Sequence, residues 1–486
     1  MKGKLLSNSI KIFSAITFSY LFSIILFIGQ SAALYRESRD LIQALNSKSF
    51  TQEVQSDYAD LLPKVDRFTK NVSSILVAPL IELAGLQGEV NQALSLYQET
   101  KQILPVAPFI LGFETPQRYL VAFQNSAEAR GTGGIIGAYA LITIDRSRVS
   151  IVQLGTNAEL RSLEEIPIRV SEEFSNLYSS DPAIWQNSNL SPHFPYGARI
   201  WLALWEKQFN QNLDGVIALD PSVLSEILKY TGPITVRNRQ INSENVISET
   251  LSDVYALYEY DNDSRKQYLV EIIRGVYDQI ISSDSNFNLT SRLLDSKDLK
   301  NRILFYSSDK TIEKVVRGSR FGGVLSPRPS NEYRLVLQNV AGNKMDYYLS
   351  RTLNLTSLTC KKNRLTQVEF SIENILSTTQ YVPNYVKGRL DLNLPSGKNN
   401  STAITVFLYA PPGARIVSAI DRSNNQAIGY LKQERGRELL VVPIDLAAGE
   451  KREFVMKVKG GTGNLSSYEQ PLVIPQTTKI VDSCSK

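Results

Sequence analysis

The chain has 486 residues, 43% of them hydrophobic and 21% charged, which is enough for two or three domains with real cores and too apolar for a disordered polymer. Its net charge of +5 comes from interspersed acids and bases, with no run of Lys and Arg interleaved with aromatics, so nucleic acid is not an expected partner. With one histidine and two cysteines zinc is not expected, and any metal should be an oxygen-ligated cation such as magnesium; no nucleotide cofactor is expected.

From Ile12 to Tyr35 there is no charged residue. About 24 residues at the helical rise span roughly 36 Å, enough to cross a hydrocarbon core of about 30 Å. Lys2, Lys4 and Lys11 precede this stretch, which predicts a cytoplasmic N-terminus and an extracytoplasmic chain after Arg36. A cleaved signal peptide, with Ser31 and Ala33 near its cleavage site, is the rival reading; the length of the apolar core favours a retained single-pass anchor. Residues 36–108 carry apolar positions at helical spacing, as in Leu41-Ile42, Leu45, Ile75-Leu76 and Leu80-Ile81, interrupted by Pro63 and Pro79. They are expected to form a helical stalk or collar, with Pro105 and Pro108 at its exit.

The region 109–328 alternates strand-like and helix-like segments. Tyr119 to Phe123, Ala138 to Ile144, Val149 to Leu154 and Val216 to Leu219 read as strands. Tyr196 to Gln208, Pro221 to Tyr230, Ser243 to Leu257 and Ser264 to Ile281 read as helices. This predicts an α/β domain, a mixed sheet covered by helices. Its most informative block is Asn125 to Gly134, where a carboxylate, a guanidinium, an amide and a Gly-rich turn lie between two apolar segments. Polar groups placed there need partners, so the block is either a site or a buried ion pair that fixes a tight turn.

After Pro327 and Pro329 the pattern changes to short alternating strands with Gly, Asn and Pro turns: Tyr333 to Leu337, Gln367 to Ile372, Gly388 to Leu394, Thr402 to Ala410 and Glu453 to Val458. Residues 329–486 are therefore expected to form an all-β, immunoglobulin-like sandwich. Cys360 and Cys484 could pair in an oxidising compartment or remain two free thiols.

Arg118 to Gly134, with its Asn-x-Ala-Glu-x-Arg-x-Thr-Gly-Gly order, resembles the bacterial family known as domain of unknown function 4012. The likeness continues in Asn189 to Pro195, Leu213 to Pro221, Thr231 to Ile234 and Gly342 to Tyr348, although His193 stands where the family usually has an acid. The central domain of that family looks like a distant relative of the LytR-CpsA-Psr phosphotransferases. Those proteins sit outside the cytoplasmic membrane on one N-terminal anchor and move anionic glycopolymers from a polyprenyl-diphosphate carrier to peptidoglycan.

The resemblance implies a diphosphate site. Arg130 and Arg265 are its candidate anion clamps, and Glu128, Asp261 and Asp263 its candidate magnesium ligands or hydroxyl-activating bases. Gly131, Gly133 and Gly134 would let backbone approach a phosphate, with Asn125, Thr132, Asn189 and Arg161 as further ligand-binding candidates. Asp261 to Arg265 could instead be ordinary helix-opening residues. The enzymes' Arg-x-Asp pair appears here as Glu128-x-Arg130, and their second arginine motif is missing after Leu154. Three readings stay open: a membrane-anchored, magnesium-assisted glycopolymer transferase, a non-catalytic binding or scaffold protein for envelope polysaccharide assembly, and a purely structural surface protein. For the sole histidine, His193, loop packing is favoured over a general base, because no Gly-x-Ser-x-Gly elbow accompanies it.

Overall fold

The computed structural model describes residues 106–282, 293, 296, 298–360, 364–394 and 400–484. The expected anchor and the stalk up to Leu104 lie outside the described residues. Among the described residues no helix is long and apolar enough to cross a membrane. The chain divides into two units, Met1–Pro108 and Phe109–Lys486, and the second is compact.

The first half of the second unit is built on a five-stranded mixed sheet, ordered β3-β2-β1-β4-β7. Its strands are β1 (Gln117–Arg130), β2 (Gly133–Asp145), β3 (Arg148–Thr156), β4 (Gly215–Leu219) and β7 (Ile303–Ser307), the short pair β5 (Ile234–Val236) and β6 (Arg239–Ile241) lying apart. β1 pairs antiparallel with β2 and parallel with β4. Leu120, Ala122, Ile136, Tyr139 and Leu141 alternate onto one face of the sheet, where α2 (Phe194–Phe209), which follows the short α1 (Glu172–Tyr178), buries Trp201, Leu204 and Trp205. Asp220 caps α3 (Pro221–Thr231) at a Pro-initiated N-terminus. α4 (Asn262–Ser282) packs with α3 and with the helical segment Val246–Leu257, which contains a π-helical stretch at Glu249–Asp253. The sequence places the central strands and helices correctly. What it misses is the edge strand β7 and the length of β1, which runs on through the polar block to Arg130.

The C-terminal half is β-rich, with two five-stranded sheets around one core. With β12 (Arg415–Asp421), β13 (Tyr430–Glu434), β15 (Lys451–Lys459) and β16 (Ser466–Glu469) beside the strands given below, one is ordered β12-β15-β10-β9-β17 and the other β13-β14-β11-β8-β16. β8 (Glu332–Asn339), β11 (Thr402–Tyr409) and β14 (Arg437–Leu446) are buried on both faces. Tyr333, Leu335 and Leu337 of β8 face the core between the sheets, whereas Val336 joins Phe407, Tyr409, Leu439 and Val441 against Phe174, Tyr178 and Trp185 of the α/β half. Near-continuous apolar runs follow from burial on both sides. The seam between the halves is therefore a shared hydrophobic core.

In β9 (Leu349–Thr359) and β10 (Leu365–Asn374) one face is buried and apolar residues alternate with polar ones. A disulfide joins Cys360, just past β9, to Cys484, just past β17 (Thr477–Val481), and so holds the C-terminal tail against the sheet. The expected strand Gly388 to Leu394 is absent: the segment is a short 3-10 turn, Leu390–Leu392, closed by one bridge between Arg389 and Leu394. Leu390, Leu392 and Leu394 are exposed, and the segment is held instead by Arg389, whose guanidinium bonds Asp391 and Asp445 at 2.7 Å.

Candidate functional site: the bulged hairpin

The polar block forms the distorted end of the β1–β2 hairpin. Asn125 pairs with Ile135 and Ala129 with Gly134, so Ser126, Ala127 and Glu128 are extra residues on β1 and bulge from the ladder. The Asn125 side chain stabilises the bulge, its Oδ1 accepting from Ala127 N–H at 3.0 Å. Ala129 N–H, released from the ladder, donates to the Asp346 carboxylate at 2.8 Å. Asp346 is fully buried, and burial, working against the hydrogen bonds from Ala129 and Asn339, pushes its carboxyl pKa up to about 7.

The bulge sends Glu128 into a buried ion pair with Lys344. Burial alone would lower the pKa of the Lys344 ammonium, but Glu128, assisted by Tyr255 and Tyr385, raises it overall. The ammonium also lies 5.1 Å from the ring centre of Tyr255 and 5.3 Å from that of Tyr385. Arg265 sits over the same two rings, 3.8 Å from Tyr385 and 5.1 Å from Tyr255, and donates to Asn262 Oδ1. Asn125 Nδ2 donates to the Tyr255 hydroxyl at 2.9 Å. Glu128, Arg265 and Asn125 are thus brought together around a stacked tyrosine pair, with Lys344 as the member that local sequence patterns did not single out. Its signal was Lys344 and Asp346 in the Gly342 to Tyr348 motif, two charges in a family-like segment beside an apolar strand.

Arg130 is satisfied by the protein's own acceptors. Its guanidinium donates to Gln186 O, Asn187 Oδ1, Ala129 O and Asn339 O at 2.8–3.1 Å, clipping the hairpin to a loop and to β8. Burial lowers its pKa, with Glu128, Asp346 and Asp181 opposing.

The Gly-rich turn has a packing role. A Cβ on Gly131 would stand 2.2 Å from Leu190 O, and one on Gly134 would stand 1.9 Å from Asn125 O. Their missing side chains admit protein backbone, where a phosphate was expected. Gly133, at φ 139°, lies against Pro471. Asn189 is fully buried and donates to Gln124 Oε1, Thr132 Oγ1 and Gly134 O at 2.7–2.9 Å, so Thr132 and Asn189 form a knot that fastens the turn.

The remaining candidates lie elsewhere. Asp261 is exposed and caps α4, its Oδ1 accepting from Ser264 N–H at 2.9 Å; this bond first of all lowers its pKa. Asp263 and Arg161 are exposed too. Glu128 is therefore the carboxylate of the tyrosine cluster, and it is held by an ammonium. That donor set does not fit magnesium, which needs carboxylates free to coordinate. Among the described residues no three His, Cys, Asp or Glu side chains are grouped to hold a metal ion. An apolar pocket lined by Phe123, Ala138, Leu224, Leu251 and Ile273 opens beside Asn125, with a volume of about 60 Å³. Ligand pockets usually measure about 300–1,000 Å³, so a polyprenyl tail does not fit this one as it stands.

His193 packs a loop. It is buried, its Nδ1 accepts from Leu325 N–H at 3.1 Å, and its ring meets Tyr196 edge-on. Next to it Ser191 donates to the buried Glu434 carboxylate at 2.6 Å, and Tyr409 does the same at 2.6 Å.

Residues 114–255, which hold the hairpin, match the family described as protein of unknown function (DUF4012). The bulge, the Gly-rich turn, Asn189 and Tyr255 all fall inside the matched segment, whereas Arg265, Lys344 and Asp346 lie beyond it.

Among solved structures, protein gbs0355 from Streptococcus agalactiae is 15% identical, with 45% of this chain and 76% of that one covered at a TM-score of 0.28. The transcriptional regulator yvhJ from Bacillus subtilis is 12% identical, covering 45% and 84% at a TM-score of 0.23. The transcriptional regulator EF0465 from Enterococcus faecalis is 9% identical, covering 45% and 77% at 0.26. Likenesses this weak bear on neither fold nor function. No curated protein matches the chain.

Proposed function

We propose that this chain is a membrane-anchored, extracytoplasmic protein of cell-envelope or exopolysaccharide biogenesis that binds its glycan ligand without transforming it. The uncharged stretch from Ile12 to Tyr35, preceded by three lysines, supports the anchor in the cytoplasmic membrane and its orientation. The ordered motifs of the central region support a LytR-CpsA-Psr-like ancestry. Two five-stranded sheets on one core support an immunoglobulin-like sandwich, with β16 and β17 as parallel additions to it. The observation that carries the non-catalytic reading is the state of the polar block: Arg130 is bound by four internal acceptor groups and Glu128 by Lys344.

One feature favours the rival, a transferase acting on a polyprenyl-diphosphate glycan and a cell-wall polymer. Arg265 is buried with no acid paired to it among the described residues and rests on the Tyr255–Tyr385 pair close to Asn125, so the cluster carries an excess positive charge. The two readings separate on turnover. The full chain in detergent is incubated with a polyprenyl-diphosphate-linked oligosaccharide, an acceptor glycan and magnesium. An intact donor supports binding alone; released polyprenyl phosphate that disappears in Arg265→Gln overturns it.

A further inference from the structure

A cleft of about 990 Å³ in the second unit lies away from the hairpin, between the β7 edge of the α/β half and strands β8 and β16 (Ser466–Glu469) of the other half. Nine of its lining residues are Arg or Lys and two are acidic. Both acids are already engaged: Glu313 with Arg317 at 2.8 Å, and Glu332 with Arg334 at 2.7 Å and Arg437 at 3.2 Å. Lys300, Lys310, Lys314 and Arg328 are exposed, and none has an acid paired to it among the described residues. Lys310 and Lys314 stand one helical turn apart on α5 (Lys310–Val316), which places them on one side of that helix.

The excess charge is felt inside the protein. The pKa of His193 is pushed well down, by burial first and then by Arg435, Arg317, Arg334 and Arg199, and all four of these arginines line the cleft. Like charges gathered along a concave wall repel one another and focus a positive potential, which costs stability unless a partner uses it. A cleft of this volume is at the upper end of the range for ligand sites, so it accommodates more than a single anionic group.

We propose that this cleft binds a polyanionic stretch of polysaccharide, with Lys300, Lys310, Lys314 and Arg328 pairing with successive carboxylate or phosphodiester groups. The inference rests on the binding role proposed above for its choice of a glycan as the carrier of the charge. The lining itself argues against single-stranded nucleic acid, which is held on exposed aromatic rings. Here the aromatics are Tyr306 and Tyr468, and Arg334 covers the Tyr468 ring at 4.1 Å. Five serines complete the wall, short hydroxyls of the kind that bond sugar oxygens.

The test measures binding of the full chain in detergent to polygalacturonate, phosphorylated dextran, neutral dextran and single-stranded DNA of similar length. Parent protein is compared with Lys310→Glu/Lys314→Glu and with Lys457→Glu/Lys479→Glu, which makes the same charge change on exposed sites outside the cleft. Expected are binding to either or both charged glycans, weakening with added salt, and a loss of about tenfold or more in the cleft variant only. The two charged glycans distinguish carboxylate from phosphodiester as the source. Equal losses in both variants, or glycan binding that the cleft variant keeps, overturn the cleft while leaving the binding role standing. DNA bound more tightly than either charged glycan overturns the glycan assignment. Donor turnover in the transfer assay overturns the non-catalytic role and leaves the cleft in place.

Discussion

Lys344 and Glu128, 216 residues apart in the chain, form a buried ion pair that ties the bulge of β1 to the turn following β8. The pair joins the α/β half to the β-rich half at the point where the sequence suggested catalysis. A carboxylate held this way is neither a free base nor a free metal ligand.

Breaking the pair from one side should therefore be expensive. Lys344→Met leaves Glu128 charged and unpartnered, and is expected to cost about 3–5 kcal/mol in chemical denaturation. Glu128→Met/Lys344→Met, which removes both charges, should return to within about 1 kcal/mol of the parent. A double variant no more stable than the single one would mean that the carboxylate does not depend on Lys344.

Asp346 gives the protein a pH signature. Its carboxyl rises from 3.8 to about 7 on folding, so between these values the folded protein holds a proton that the unfolded chain has lost. Stability from this group is complete below about pH 4, falls as pH rises to about 7, and levels off above, a decline on the order of a few kcal/mol. Asp346→Asn stays neutral and should flatten that decline in melts recorded from pH 4 to 8. An unchanged slope would assign the decline to other groups.

The glycines of the hairpin should separate by what surrounds them. Gly131→Ala and Gly134→Ala place a methyl within 2.2 and 1.9 Å of backbone oxygens and should each cost at least about 3 kcal/mol. Gly137→Ala, whose nearest neighbour would be Asn125 Cβ at 3.5 Å, should cost less than about 1 kcal/mol. Thermal melts of the three variants check the ranking.

These glycines also show where sequence reading stops. A Gly-rich turn among polar residues is legible as a place of close approach, but Leu190, the atom group that approaches, lies nearly sixty residues away. The strands around it were legible because apolar residues alternate, and the helices because Trp201, Leu204 and Trp205 recur at helical spacing. The same alternation misled at Leu390, Leu392 and Leu394, which face solvent around a turn held by the Arg389 ion pairs. Arg130 and Glu128 are legible in the sequence as polar groups in need of partners. That the partners are protein groups at Asn187, Asn339 and Lys344 depends on long-range packing that no local pattern encodes. The basic cleft was hidden for a similar reason, since its cations are drawn from positions between Arg199 and Arg435 and form no continuous run.

The disulfide closes a loop whose ends are 124 residues apart. In the chain-entropy account a loop of that size is worth on the order of 3–5 kcal/mol. Reduction of the parent and Cys484→Ser should therefore lower the unfolding midpoint by similar amounts, and reductant should have no further effect on the variant. A midpoint unmoved by reductant would mean that the tail contributes little to holding the β-rich half together.

The claim that the polar block is closed by its own partners is tested most directly by calorimetric titration of polyprenyl diphosphate into the full chain, with and without magnesium, for the parent, Glu128→Gln and Arg130→Lys. The account predicts no magnesium-dependent binding that either substitution removes. Magnesium-dependent binding by the parent, lost in both variants while they remain folded, would contradict it and return Glu128 and Arg130 to a catalytic site.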